Sequence, residues 1–195
     1  ALVFPLSLPL GFLVTLCANC RFKPVKWLAE AYIFVMRGTP LMLQLFFFYY
    51  GLPFLPGIGQ YLRLSSFAAA ALSFTLNYAA YFAEIFRGGL LSIDRGQYEV
   101  SHVLGLTSFQ TMTRIIIPQM IRVTLPSIGN EAITLVKDTA LVASIALPEL
   151  LHYAKGIVTR DFTTTPFIVA AFIYLLITFV VTVLFKFAER KTNYE

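Results

Sequence analysis

Charge is scarce in this chain. Only 13% of its 195 residues are Asp, Glu, Lys or Arg, while 58% are hydrophobic; soluble domains carry roughly 25% charged residues. No hydrophilic run is long enough to form a soluble domain, so the composition points to a polytopic membrane protein built as one domain over 1–195. Cysteine is nearly absent too. Cys17 and Cys20 form a lone Cys-x-x-Cys without a thioredoxin-like setting or two further ligands, which argues against redox or metal chemistry. They read as two small apolar residues at a helix end. His102 and His152 have no second ligand beside them in sequence, so no metal site is expected. Basic clusters are missing: the net charge of +5 is spread singly, which excludes a nucleic-acid surface. No G-x-x-x-x-G-K-[ST] phosphate loop occurs, so the chain is not itself an ATPase.

What is present is apolar length. A membrane-spanning helix needs about 20 apolar residues, and residues 1–20 supply the first. They have no basic n-region and no small-x-small cleavage site, and so read as a span and not a signal peptide. Residues 25–55 read as one second element bent at 38–40, because Pro40 lacks a backbone donor and disfavours helix at Thr39. The Gly- and Pro-rich stretch 51–57 is the turn that follows. Residues 62–87, about 119–151 and 164–188 complete five expected spans. Arg21, Lys23, Lys26, Arg87, Arg95, Arg114, Arg122, Lys186, Arg190 and Lys191 then fall on one side of the membrane, and Arg63, Lys155 and Arg160 on the other. The positive-inside rule makes the richer side cytoplasmic, with the N-terminus outside and the C-terminus inside. Trp27, Tyr49, Tyr50, Tyr61 and Tyr153 are expected as interfacial anchors.

Residues 94–118 interrupt this pattern. They are expected as a cytoplasmic loop, yet Tyr98, Val103, Leu104, Leu106 and Phe109 are not loop residues. A helix lying on the membrane surface would want Lys and Arg on its polar face, and 96–113 contains neither. A docking helix at 96–105, joined near Gly105 to a return helix ending at Pro118, fits better; glycine there permits a tight turn or a close approach.

Four motifs carry a resemblance. Glu99-Val100-Ser101, Gly105 four positions later, and Ile115-Ile116-Ile117-Pro118 resemble the cytoplasmic-loop signature of ABC importer permeases. That signature is Glu-Ala-Ala, three residues, Gly, nine residues, Ile-x-Leu-Pro; Val100 and Ser101 replace the alanines here and Ile117 the leucine. Arg37-Gly38-Thr39-Pro40-Leu41 with Gln44 is similar to motifs of polar amino-acid permeases of the histidine, glutamine and arginine type. So are Tyr81-Phe82-Ala83-Glu84-Ile85-Phe86-Arg87-Gly88-Gly89, running into Gly96-Gln97, and Lys137-Asp138-Thr139-Ala140-Leu141. The resemblance spans about 8–190 and implies an all-α membrane protein of about five spans with type I importer architecture. It also implies coupling to a separate ATPase through Gly96, Gln97, Tyr98, Glu99, His102, Leu104 and Gly105. ATP and Mg would sit on that partner, leaving this chain without a cofactor and without catalytic residues. A second permease copy or close relative, an extracytoplasmic amino-acid-binding protein and a place in the bacterial inner membrane are implied as well.

Polar groups inside a membrane are costly and need a reason. Asn77, Glu84 and Arg87 lie in the third expected span, with Glu84 and Arg87 three apart on one face. Asn130, Glu131, Thr134, Lys137 and Asp138 lie in the fourth, with Asn130, Thr134 and Lys137 on one stripe and Glu131, Leu135 and Asp138 on the adjacent one. A zwitterionic amino acid needs acceptors for its ammonium and donors for its carboxylate, and these residues offer both. The competing reading is structural: a Glu84–Arg87 ion pair, and a polar seam between the two permease subunits with Lys137 and Asp138 paired across helices. An ion-coupled secondary transporter or channel using Glu84, Glu131 and Asp138 is the alternative function, and a non-transporting scaffold a third; both leave the docking loop without a purpose.

Overall fold

A computed structural model describes residues 2–193, and the regular structure among them is entirely helical. Nine α-helices follow in order: α1 (Val3–Ala18), α2 (Lys23–Gly38), α3 (Leu41–Phe46), α4 (Ser66–Ser92), α5 (Arg95–Val103), α6 (Ser108–Thr111), α7 (Ile117–Asp138), α8 (Leu150–Asp161) and α9 (Thr165–Asn193). The architecture is the all-α one expected.

α4 is the central element, contacting α1, α2, α3 and α7, while α9 packs on α7 and α8. Phe74, Tyr78, Phe82 and Phe86 recur every four residues along α4 and form the core with Leu45, Met120, Ile128, Leu135, Val142 and Ile145. Phe4 meets Phe82 edge to face, with ring centroids 5.6 Å apart. The approach of α1 to α4 depends on small residues: Ser7, Gly11, Thr15 and Ala18 are all buried on one stripe of α1. A Cβ on Gly11 would stand 2.7 Å from the Phe82 Cβ and 2.8 Å from the Ala79 carbonyl oxygen. Only glycine allows the backbones so close. The Thr15 hydroxyl lies 3.0 Å from the Ala83 carbonyl of α4, which gives the stripe a polar tie.

Among the described residues α9 alone is long and apolar enough to cross a membrane by itself. Lys23–Gly38 and Leu41–Phe54 pass the same test together but are bent by 104°. α1 is apolar but shorter, at 16 residues. α4 and α7 dilute their apolar sequence with polar residues such as Asn77 and Glu131, which face other helices or internal cavities.

Several boundaries differ from the expected ones. The 25–55 element is two helices meeting at about a right angle, because Pro40 and extended backbone at Thr39 end α2 outright. The third helix is shifted, running over Ser66–Ser92 and not 62–87; Ser65 caps it by accepting from the Ala68 amide at 3.2 Å. The fourth helix stops at Asp138, well short of 151. A 3₁₀ segment, Thr139–Ile145, follows, then Ala146 in the left-handed region and Pro148 before α8. Pro148 marks the loop before α8, ten residues past the end of α7.

The return helix does not end at Pro118. A π segment, Met112–Ile116, links α6 to α7, and Pro118 sits in the first turn of α7. The Ile117 amide donates to the Met112 carbonyl five residues back. This wide turn lets the chain pass a proline while remaining helical. Phe47–Gly51 is a second π segment and also precedes a proline, Pro53.

Candidate functional site

Two regions collect the candidate residues, the α5–α6 corner and a polar cavity beside the α2–α3 break. The corner is built by local capping. Asp94 Oδ1 accepts from the Gly96 amide at 2.6 Å and starts α5. The helix ends in a Schellman turn: the Leu106 amide donates to the Ser101 carbonyl and the Gly105 amide to the His102 carbonyl, both at 3.0 Å. Gly105 has φ +74° with open space around its Cβ position, so its role within this chain is conformational and not one of close packing. Thr107 and Gln110 form a reciprocal capping box that starts α6. Ser101 is fully buried, and Gln97 Oε1 accepts from Gln119 at 3.3 Å, which ties α5 to the start of α7.

The other expected coupling residues point outward. Tyr98, Glu99, His102 and Leu104 are exposed. Val100, Val103 and Phe109 are 60%, 86% and 76% exposed, so none of the described residues covers the apolar face of this corner. Gly96, Gln97 and Gly105 therefore build the corner, while Tyr98, Leu104, Val100, Val103 and Phe109 form its exposed face. Val100 was hidden in the sequence because it occupies a motif position filled by alanine in the family pattern.

The polar cavity measures about 400 Å³ and is lined by Arg37, Thr39, Asn77, Tyr78, Tyr81, Glu131, Thr134 and Asp138, among others. Glu131, Thr134 and Asp138 share one face of α7. Asp138 Oδ2 accepts from the Tyr78 hydroxyl at 2.7 Å. Lys137 is exposed, does not line this cavity and makes no ion pair with Asp138 within the chain. Asn130 is displaced as well, facing a small groove toward Lys186 and Glu189 of α9.

Asn77 is committed to holding the helix break. Its Nδ2 donates to the Met36 carbonyl and to Gln44 Oε1, each at 3.0 Å. The Gln44 Nε2 lies 2.9 Å from the Met36 carbonyl and 2.8 Å from Thr39 Oγ1. These side chains satisfy carbonyls that the break at 38–40 leaves without helical partners.

Glu84 belongs to a second cavity, of about 620 Å³, also lined by Lys26, Glu30, Arg37, Tyr81 and Arg87. Arg87 grips both its oxygens, at 2.9 and 2.7 Å, and Arg37 approaches one at 3.4 Å. The Glu84–Arg87 pair expected from sequence is thus present, with Arg37 added. Arg37 is the feature that sequence reading left without a role: it lines both cavities and lies over the Tyr81 ring at 5.4 Å.

Residues 7–194 match the family described as binding-protein-dependent transport system inner membrane component. The chain belongs to that family. It is 39% identical over 183 residues to the probable amino-acid ABC transporter permease protein YckA of Bacillus subtilis, covering 93% of this chain and 79% of that protein. It is 38% identical over 188 residues to the arginine transport system permease protein ArtQ of the same organism, covering 95% and 84%. A crystal structure of an amino acid ABC transporter with histidines superposes with a TM-score of 0.88 at 34% identity, covering 97% of this chain and 87% of that one. The type I permease fold and the absence of an enzymatic role follow from this membership. An inner membrane component of this kind leaves ATP hydrolysis to a separate nucleotide-binding subunit. Nothing among the relatives supports the ion-coupled alternative.

Proposed function

We propose that this inner membrane component is the permease subunit of an ABC importer for polar amino acids, coupled to its ATPase through the α5–α6 corner. The observation that carries the coupling assignment is the exposed apolar face of Val100, Val103, Leu104 and Phe109, held at a capped corner without any Lys or Arg between 96 and 113. Such a face suits a groove on a soluble partner better than a headgroup layer. The basic-residue distribution supports a cytoplasmic position for this corner, an external N-terminus and a cytoplasmic C-terminus.

In this reading, closure of the nucleotide-binding dimer moves α5 as a rigid lever. The motion passes through the continuous 108–138 helical run into the wall of the 400 Å³ cavity. Glu131 and Asp138 accept the ammonium of the travelling amino acid, and Thr134 offers a further hydroxyl. Asn77 acts on the shape of the cavity and not on the substrate, and Glu84 and Arg87 sit in the neighbouring vestibule. The working unit includes a second permease copy or close relative, ATP-binding subunits that carry ATP and Mg, and an extracytoplasmic binding protein.

The test is ATP hydrolysis by the reconstituted complex with its binding protein, screened against individual amino acids. At least one polar amino acid is expected to stimulate turnover, and vanadate to abolish it. Transport that follows an ion gradient and ignores vanadate would favour the secondary-transporter reading instead.

A further inference from the structure

Resting on the reading of the 400 Å³ cavity as an amino-acid site, we infer that Arg37 binds the substrate α-carboxylate and releases Glu84 to do so. A free amino acid brings a carboxylate into any site it enters, and burial of that charge needs a donor. Among the described residues lining the cavity, Arg37 is the one cation. Lys137, the other basic residue of this region, is exposed and lies outside the lining. The amide of Asn77 is already engaged by the Met36 carbonyl and Gln44, and the Tyr78 hydroxyl by Asp138.

Arg37 is free to move because Glu84 does not depend on it. Arg87 holds Glu84 through two bonds of 2.9 and 2.7 Å, a bidentate grip that neutralises the carboxylate. Arg37 adds one contact of 3.4 Å, beyond good hydrogen-bond length, and its side chain is 41% exposed. The guanidinium rests on the Tyr81 ring, which itself lines both cavities. A rotation on that face carries the fork from Glu84 toward the cavity of Glu131 and Asp138. The carboxylate then lies at the Arg37 end and the ammonium at the acidic face of α7, so the two charges of the zwitterion set its orientation. Return of Arg37 to Glu84 frees the carboxylate toward the 620 Å³ vestibule, which also contains Lys26 and Arg87. One residue common to both cavities thus serves as binding group and as the step between them.

Equilibrium binding to the permease–ATPase complex in nanodiscs, without binding protein, tests this. Radiolabelled L-arginine, L-histidine and L-glutamine are each competed by the same amino acid and by its α-carboxamide, which removes the carboxylate charge alone. The wild type is expected to prefer the free acid by about 10- to 100-fold, the range for a charge-assisted hydrogen bond. Arg37→Gln should erase that preference by weakening the acid and not the amide. Arg37→Lys, which keeps the charge but loses the fork, should retain an intermediate preference and guards against a failure of Arg37→Gln to assemble. Equal weakening of acid and amide in Arg37→Gln would assign Arg37 to the fold and overturn the inference, as would undiminished preference in either variant. Binding of none of the three amino acids to the wild type would instead overturn the amino-acid reading of the cavity, and this inference with it.

Discussion

Gly105 shows how one residue can matter without touching its neighbours. Its φ of +74° is a conformation that L side chains adopt at a cost, and nothing stands within 4 Å of its Cβ position. A side chain here therefore strains the backbone of the Schellman turn, by about 1–2 kcal/mol, and loosens the corner that presents Leu104. Gly105→Arg is expected to lose ATPase co-purification while still inserting in the membrane. Gly105→Asn, whose side chain tolerates the left-handed region, should retain most of it. If Asn loses as much as Arg, the glycine serves close approach by the partner and not backbone conformation. Gly11 is the opposite case: its φ is unremarkable for a helix, and the limit is space, since the Ala79 carbonyl and Phe82 leave no room for a methyl group.

At the level of elements, the break between α2 and α3 is the costly feature. Extended backbone at Thr39 and Pro40 interrupts the helical ladder inside the bundle, and Asn77 and Gln44 take over the carbonyls of Met36 and Thr39. Removing one partner leaves polar groups buried without a mate, which costs about 1–3 kcal/mol. Asn77→Ala is therefore expected to lower the thermal unfolding midpoint in detergent. Gln44→Leu should do likewise, and the double variant should cost less than the sum, because both act on one network. Strict additivity would show that the two side chains hold the break independently. α8 is held by a comparable device: Glu149 caps it through the His152 amide and also accepts from Tyr174 of α9 at 2.9 Å.

For the whole molecule, exposure carries two meanings. Leu176 of α9 and Val103 of α5 are 56% and 86% exposed, yet the first lies in the helix apolar enough to cross a membrane and the second at the α5–α6 corner. An arginine near the bilayer centre costs about 2.5–3.5 kcal/mol on insertion scales. Leu176→Arg is thus expected to cut the yield in the membrane fraction, measured by immunoblot after carbonate extraction. Val103→Arg should leave that yield intact and lose the ATPase instead. Equal yields for both variants would place α9 away from lipid.

Much of this was legible in one dimension. Apolar length and scarce charge determine a membrane protein; the spacing Glu99 to Gly105 to Pro118 determines the corner; Pro40 and Pro148 mark breaks, the second of them passed over by the run of apolar residues around it. Such properties depend on neighbours in the chain, so local composition and backbone chemistry suffice to read them. What only the tertiary structure decided is which polar side chains meet. Sequence spacing grouped Asn130 and Lys137 with Thr134, but the packing of α7 against α4 and α9 sends them to separate surfaces and leaves Glu131, Thr134 and Asp138 around one cavity. The position of Arg37 between two cavities depends on a 104° turn in the chain and on Glu84, 47 residues away. A pattern along one helix records which face a residue occupies, and the partner helix alone determines what that face meets.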